Sequence, residues 1–225
     1  NERSFKMSLW NTSHTVGAGT LGIIANFHAI SRIPLGDSMA LNKTAPFFTL
    51  LACWALLGER MTFRQVGAVA IAFAGAMLVV KPDFSGTGIP DAVIGLLSGA
   101  FAGIAYALLH SLGRRKVDGA FIIFFFSVFS ALSTLPFLVW GNVPVSTAQV
   151  ALLVASGIAA TLGQFGITWA YRFAEPRQIA VYDYSGIVFA AVFGLVIFGQ
   201  IPDLSSIVGA AVIVAMAVVV FRTGK

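Results

Sequence analysis

The sequence predicts an all-α protein whose helices cross a membrane several times and pack as a bundle. Hydrophobic residues make up 58% of the 225 residues and charged residues only 10%, whereas a typical soluble domain carries about 25% charged residues. Continuous apolar stretches of about 20 residues, enough to cross a bilayer as a helix, follow one another with short connections. Because these stretches do not alternate in polarity, they indicate helices rather than barrel strands.

The chain contains eight such apolar stretches, and each is predicted to form one membrane-spanning helix. Residues 1–9 precede them and carry Glu2, Arg3 and Lys6, which indicates a loop. The predicted spans cover residues 10–31, 37–58, 64–80, 90–111, 120–140, 148–171, 178–199 and 204–221. The 20 Phe and 23 Gly fit this architecture, because small residues let transmembrane helices approach one another closely.

Lysine and arginine are distributed unequally between alternate loops. One side of the membrane carries only Arg32 and Lys81. The other side carries Arg3, Lys6, Arg60, Arg64, Arg114, Arg115, Lys116, Arg172, Arg177, Arg222 and Lys225. The positive-inside rule predicts that this second side, with the C-terminus, faces the cytoplasm of a prokaryotic inner membrane. Because these residues form no continuous basic stripe, the net charge of +5 does not indicate binding to nucleic acid.

The second apolar stretch is interrupted by a short polar segment, Asn42-Lys43-Thr44, with Pro46 just after it. A lysine in a membrane span is costly and usually faces a protein interior or a wet cavity. Pro46 has no N–H, so the carbonyl of Asn42 loses its helical partner. The segment therefore predicts the wall of a cavity, where Lys43 binds an anionic substrate group or changes its protonation. The alternatives for Lys43 are an internal ion pair or snorkelling to the interface.

A weak internal repeat relates two parts of the chain at a spacing of 141 positions, which separates Gly58 from Gly199. The same spacing pairs Thr20-Leu21-Gly22 with Thr161-Leu162-Gly163, Ala29 with Ala170, Phe48 with Phe189, Ala70 with Ala211, Ala74 with Ala215, and Val79 with Val220. The loop after Gly58 is basic and the loop after Gly199 is acidic, so the two loops are expected on opposite membrane faces. Opposite faces require an odd number of spans in each repeat, which predicts an inverted repeat of the kind found in secondary transporters.

The later copy of this repeat contains five of the predicted spans, and the earlier copy contains only three. Two further helices are therefore expected before the first residue of this sequence, which gives ten in the complete protein.

Two segments of the sequence resemble EamA-family permeases of the drug/metabolite transporter superfamily. The first is NFHAISRIPLGDSMALNKTAPFFTLLACWALLGERMTFRQVGAVAIAFAGAMLVVKP, residues 26–82, and the second is TWAYRFAEPRQIAVYDYSGIVFAAVFGLVIFGQIPD, residues 168–203. The resemblance implies one repeat in residues 1–82, represented by its last three helices, and a second repeat of five helices in residues 90–223. It also implies transport of amino acids, other metabolites or toxic compounds by alternating access.

Asp183 is the equivalent of Asn42 at the repeat spacing, and it is a second candidate site residue. It is interpreted as a proton or cation site, with a carboxylate favoured by a helix dipole as the alternative. Inverted repeats place equivalent positions at opposite depths, so Lys43 and Asp183 are expected to lie more than roughly 10 Å apart. Tyr182 and Tyr184 flank Asp183 and are predicted to line the transport pathway.

Four more residues are candidates for the same cavity. Asn26 and His28 lie late in the first span, and Gln164 and Trp169 lie in its repeat partner. The alternative for the polar members of this group is hydrogen bonding between helices, which contributes on average only about 0.6 kcal/mol per pair. Gly95, Gly99 and Gly103 recur every four residues and predict a close packing face.

The sequence contains no HExxH, GxSxG or Walker A pattern, and its three His and one Cys are not spaced as metal ligands. The prediction is therefore a non-enzymatic secondary transporter without a cofactor or metal, with efflux of a small organic solute favoured over uptake. Its expected partners are that solute, membrane lipids and a coupling proton or cation. The alternative function is a non-transporting membrane scaffold or subunit.

Overall fold

The computed structural model describes residues 2–59, 62–83, 88–141, 145–199 and 201–223. Within these ranges the chain forms ten helices and no strand, which confirms the predicted all-α class. The helices are α1 (Glu2–Arg32), α2 (Leu35–Asn42), α3 (Ala45–Leu57), α4 (Phe63–Val80), α5 (Ile89–Arg114), α6 (Gly119–Gly141), α7 (Thr147–Phe173), α8 (Pro176–Tyr182), α9 (Ser185–Phe198) and α10 (Leu204–Thr223).

Six segments of the described residues are long and apolar enough to cross a membrane, against eight predicted spans. They are Asp37–Leu57, Phe63–Val80, Ile89–Arg114, Gly119–Pro136, Thr147–Phe173 and Gln178–Ile197. Helix α10 contributes a shorter apolar segment, Leu204–Val219. Helix α1 is not among the six, and it carries a polar run from Thr12 to Thr15. The bundle is thus a polytopic membrane protein.

Two of the predicted spans are interrupted in the middle, although each still forms one apolar segment long enough to cross a membrane. Helix α2 ends at Asn42 and α3 begins at Ala45. Pro46 lies in the first turn of α3, where its missing N–H costs no hydrogen bond. Helix α8 likewise ends at Tyr182 and α9 begins at Ser185. Each break leaves backbone groups without regular helical partners inside the bundle.

Glycine ends both of the helices that follow these breaks. Gly58 (φ 68°) ends α3 and Gly199 (φ 65°) ends α9, and both adopt the left-handed conformation that glycine reaches at little cost. The N–H of Gly58 donates to the carbonyl of Trp54, and the N–H of Gly199 donates to that of Leu195. The two ends therefore share one hydrogen-bonding pattern at the 141-residue spacing.

Helix α5 is the central element of the bundle, and it packs along α1, α2 and α3. A Cβ atom added to Gly99 would lie 2.9 Å from the carbonyl oxygen of Leu41, and one added to Gly103 would lie 2.7 Å from that of Ala45. These glycines let the α5 backbone lie directly against the α2–α3 break, which confirms the predicted packing face. Helices α4 and α10 meet in the same way through Gly75 and Gly209.

Candidate functional site

Lys43 and Asp183 lie against each other where the two broken helices meet. The Nζ atom of Lys43 donates to the backbone carbonyl of Asp183 at 3.0 Å and lies 3.4 Å from its Oδ2 atom. Both side chains are only 19% exposed. The expected separation of more than roughly 10 Å was therefore wrong. Because α2 and α8 end after eight and seven residues, both positions lie within the bundle, and the long lysine side chain closes the remaining gap.

This contact corresponds to the ion-pair alternative for Lys43. The ammonium group is neutralised by the Asp183 carboxylate and is also held by the Asp183 carbonyl at the end of α8. In this conformation the pair joins the two helix breaks to each other. Because the two charges are poorly hydrated, the pair is stable only while its hydrogen bonds are formed.

Three tyrosines lie around Asp183. Tyr106 of α5 and Tyr171 of α7 stack with ring centroids 4.8 Å apart, and Tyr171 and Tyr184 are almost completely buried. All three interact electrostatically with the Asp183 carboxylate. These three side chains come from α5, from α7 and from the segment between α8 and α9.

A cavity of about 220 Å³ lies between α1, α5 and α6, and Asn42 of α2 and Gln164 of α7 also line it. Its lining combines three amides with aromatic and aliphatic groups and contains no charged side chain among the described residues. The lining residues are Thr15, Val16, Gly19, Gly22, Ile23, Asn26, Asn42, Ala102, Ala105, Tyr106, Leu109, Ile122, Phe126 and Gln164. The structure therefore brings Asn26, Asn42 and Gln164 together at one cavity.

Hydrogen bonds fix two of these amides. Asn42 Nδ2 donates to Ser98 Oγ at 3.0 Å, and Ser98 Oγ in turn donates to the carbonyl of Gly95 at 2.6 Å. Gln164 Nε2 donates to Thr168 Oγ1 at 3.5 Å. Both amides use an N–H group in these contacts and keep a side-chain carbonyl oxygen as an acceptor, so the site can bind the donor groups of a polar solute.

The other predicted site residues lie away from this cavity. His28 is exposed, with its Nε2 atom 3.7 Å from Asp91 Oδ1. Trp169 is 52% exposed and packs edge-on against Phe165. Tyr182 donates a hydrogen bond to the carbonyl of Ala217 beside an apolar groove between α8, α9 and α10.

Tyr184 lies in the apolar core that α4, α8 and α10 share, and it is not among the residues that line the cavity between α1, α5 and α6. In this conformation the cavity is lined by the amides Asn26, Asn42 and Gln164, and not by the predicted aromatic residues Tyr182, Tyr184 and Trp169. Among the described residues, no group of three or more His, Cys, Asp or Glu side chains is placed to hold a metal ion.

Sequence reasoning missed Tyr106 and Ser98, which belong to the site through α5. A usable signal was present for Tyr106, because it follows Gly99 and Gly103 at helical spacing and so shares the face on which α2 and α3 pack. Ser98 lies next to the same face, but a single serine in an apolar helix carries no distinguishing signal.

Comparison with known proteins places these features in context. Residues 13–81 and 91–222 match the EamA-like transporter family. The pseudopaline exporter of Pseudomonas aeruginosa is 34% identical over 209 residues, which is 92% of this chain and 73% of the exporter.

Two further relatives are more distant. The riboflavin transporter of Rhizobium johnstonii is 25% identical, over 95% of this chain and 70% of its own length. The S-adenosylmethionine uptake transporter of Rickettsia prowazekii is 22% identical, over 91% of this chain and 69% of its own length. One solved crystal structure shares the fold with a TM-score of 0.77 at 21% identity, covering 93% of this chain and 76% of its own.

Proposed function

This chain belongs to the EamA-like transporter family, and we propose that it is a secondary-active exporter whose solute binds in the cavity between α1, α5 and α6. Its helices and its named relatives make it an integral membrane transporter of small solutes. Export is favoured over uptake because the pseudopaline exporter is 34% identical to this chain, whereas the S-adenosylmethionine uptake transporter is 22% identical.

The observation that carries the proposal is the contact between Lys43 and Asp183. Transporters built from inverted repeats bind their solutes where interrupted helices meet, and they work by moving one repeat against the other. Here the pair connects an interruption in the earlier part of the chain to one in the later part. We assign it the role of a gate, because solute or ion binding that weakens this contact would release the two parts from each other.

The cavity is suited to hold the solute next to this gate. Asn42 lines the cavity and directly precedes Lys43, so a solute bound to the Asn42 amide lies one residue from the ion pair. Tyr106 also lines the cavity and interacts with Asp183. Solute binding can therefore affect Lys43 through α2 and Asp183 through Tyr106.

The proposed membrane arrangement follows from the repeat and the loop charges. We assign residues 1–82 to one repeat and residues 90–223 to the other, with inverted orientations. The basic ends, including Arg114 and Arg172, face the cytoplasm of the inner membrane together with the C-terminus.

Export can be tested before the solute is identified. Cells that overproduce the natural full-length protein are compared with cells that produce Gln164→Ala, and their culture media are profiled by untargeted mass spectrometry. Leu162→Ala is the matched control, because Leu162 lies on the same helix and is 68% exposed. The solute is expected to accumulate in the medium of wild-type and Leu162→Ala cells, and at least several-fold less in that of Gln164→Ala cells.

The solute found in this way is then tested for binding to the purified protein. A ligand at 100 times its dissociation constant raises the free energy of unfolding by about 2.7 kcal/mol, which thermal unfolding measures readily. Identical media from wild-type cells and cells without the protein, at equal membrane expression, would instead favour a scaffold without transport activity.

A further inference from the structure

The ends of α3, α5 and α7 meet at a buried histidine that the cavity does not use. His110 of α5 has a side chain that is only 9% exposed. Its Nε2 atom lies 3.0 Å from Glu59 Oε1, in the residue that follows the glycine cap of α3. Its Nδ1 atom lies 3.2 Å from the backbone carbonyl oxygen of Tyr171, near the end of α7. One imidazole ring therefore connects three helix ends.

Both partners of His110 are hydrogen-bond acceptors, so the number of protons on the ring determines how many of the two contacts can be hydrogen bonds. A neutral imidazole carries one N–H and can satisfy only one of the two contacts. Its other nitrogen would then place a lone pair against the oxygen of Glu59 or of Tyr171. Both contacts are satisfied only when the pair holds one additional proton, either as an imidazolium with a Glu59 carboxylate or as a neutral imidazole with a protonated Glu59.

Arg114 favours the first of these two forms, the imidazolium with a Glu59 carboxylate. Its NH1 atom donates to the same Oε1 atom of Glu59 at 3.1 Å, and a guanidinium favours an ionised carboxylate partner. An additional proton on this pair is therefore expected on the imidazole. Imidazole is the side-chain group that proteins most often use to take up and release a proton, and His110 is placed to do so.

The charges around the site do not prevent this protonation. The neighbouring pocket, about 610 Å³ in volume, is lined by Glu59, Arg114, Arg172 and Glu175 in addition to His110. These two acids and two arginines offset one another, so the imidazolium adds a single positive charge. The pocket also gives water a route to the ring edge, through which a proton can enter and leave.

We propose that His110 and Glu59 form a proton-binding site that is complete only when the ends of α3, α5 and α7 are together. The coupling role of the site rests on the proposed transport function, whereas proton binding itself does not. Loss of the proton removes one of the two hydrogen bonds and leaves two acceptors facing each other, which favours separation of the helix ends. Protonation restores the contact.

Helix α3 connects this proton site to the gate. It begins directly after the break beside Lys43 and ends at Gly58, just before Glu59. Its 13 residues form a rod of roughly 20 Å. Tyr171 provides a second connection, because its carbonyl accepts the hydrogen bond from His110 while its ring stacks on Tyr106 beside Asp183. Movement at the gate is thus transmitted to the partners of His110.

The proton can be observed directly by NMR. The full-length protein, labelled with ¹⁵N at histidine and reconstituted in nanodiscs, is measured from pH 5 to 8. A doubly protonated ring is expected for His110, with both nitrogens bearing hydrogen, and its signals are assigned by their loss in His110→Gln. In Glu59→Gln the proton affinity of His110 is expected to fall at least tenfold. His28→Gln is the matched control and should leave the His110 signals unchanged.

A singly protonated His110 throughout this pH range would overturn the proton site, whatever the protein transports. Flux of the exported solute is then measured in proteoliposomes with and without a pH gradient. The gradient is expected to accelerate wild-type flux but not that of His110→Gln. If the ring titrates as expected and no solute moves, the proposed export fails while the proton site stands. If His110→Gln retains the full response to the gradient, the coupling role of the site is overturned.

Discussion

Helices α1 and α7 are equivalents in the proposed repeat, yet their surroundings differ. Helix α1 packs along α5 and also contacts α6, and side chains such as Val16 and Ala29 are completely buried. In α7, every residue from 147 to 163 is exposed. Their last residues, Arg32 and Phe173, nevertheless correspond at the 141-residue spacing. Helix ends are therefore set by local sequence, whereas burial is set by which neighbours are present.

The two helix breaks also differ in how closely neighbouring residues cover them. The α2–α3 break is covered by glycines of α5, and it carries a cation and a proline. The α8–α9 break carries an anion and no proline, and its Gly186 has open space around it except for the Nζ atom of Lys43 at 3.8 Å. The earlier break is thus held by close backbone packing, and the later break depends more on its ion pair.

The largest expected effect tests this difference in packing. In Gly103→Ala the new methyl group would lie 2.7 Å from the backbone at Ala45 and Thr49, and neither backbone can move without disturbing the break. We expect a loss of about 3 kcal/mol in the free energy of unfolding. In Gly163→Ala, on α7, the methyl group meets no atom within 4 Å, so a gain of about 0.5–1 kcal/mol is expected. Denaturant unfolding in detergent measures both, and equal responses would contradict the comparison.

The next effect concerns the ion pair that joins the two breaks. Lys43→Ala and Asp183→Ala each leave a poorly hydrated charge without its partner, which costs about 2 kcal/mol after allowance for partial exposure. The double variant should lose clearly less than the sum of the two single variants. Thermal unfolding of the four proteins completes the cycle. Additive losses would mean that the two side chains contribute independently and do not act as a gate.

The two glycine caps provide a test in which equal effects are expected. Gly58→Ala and Gly199→Ala both force a non-glycine residue into the left-handed conformation, and neither meets a steric contact. Each should lower the free energy of unfolding by about 1 kcal/mol. Urea titrations of the purified variants measure this loss. A clear difference between the two would show that their shared geometry does not reflect a shared local energy.

The smallest expected effect concerns the exposed contact between Lys81 and Asp203, which joins the end of α4 to the start of α10. Lys81, Ser205 and Ser206 hold the pKa of the Asp203 carboxyl well below its usual range. A carboxyl with a lowered folded-state pKa stabilises the protein above its unfolded pKa of about 3.9, and this contribution is lost as the pH falls. Asp203→Asn should therefore reduce the acid sensitivity of the melting temperature. If the melting temperature of Asp203→Asn depends on pH as that of the wild type does, the contact does not contribute to stability.

Much of the fold follows from local sequence. The length and apolarity of the stretches predict the helices, because an unsatisfied backbone in lipid is too costly for other spanning structures. Gly58 and Gly199 predict two helix ends. Asn42, Lys43 and Pro46 predict one polar interruption, since proline cannot donate the missing hydrogen bond. The amides Asn26 and Gln164 were singled out because a polar side chain in an apolar helix has few stable locations, and both line one cavity.

The tertiary structure alone decided the rest. Ile187 occupies the position that corresponds to Pro46 at the 141-residue spacing, so no proline in the sequence predicts the α8–α9 break. Trp169 is half exposed and Tyr184 is completely buried, although both are aromatic residues in apolar parts of the chain. The meeting of Lys43 with Asp183, and of His110 with Glu59, joins residues that are 140 and 51 positions apart. Helical periodicity determines which residues share a face, but the packing of that face against other helices determines which charges meet.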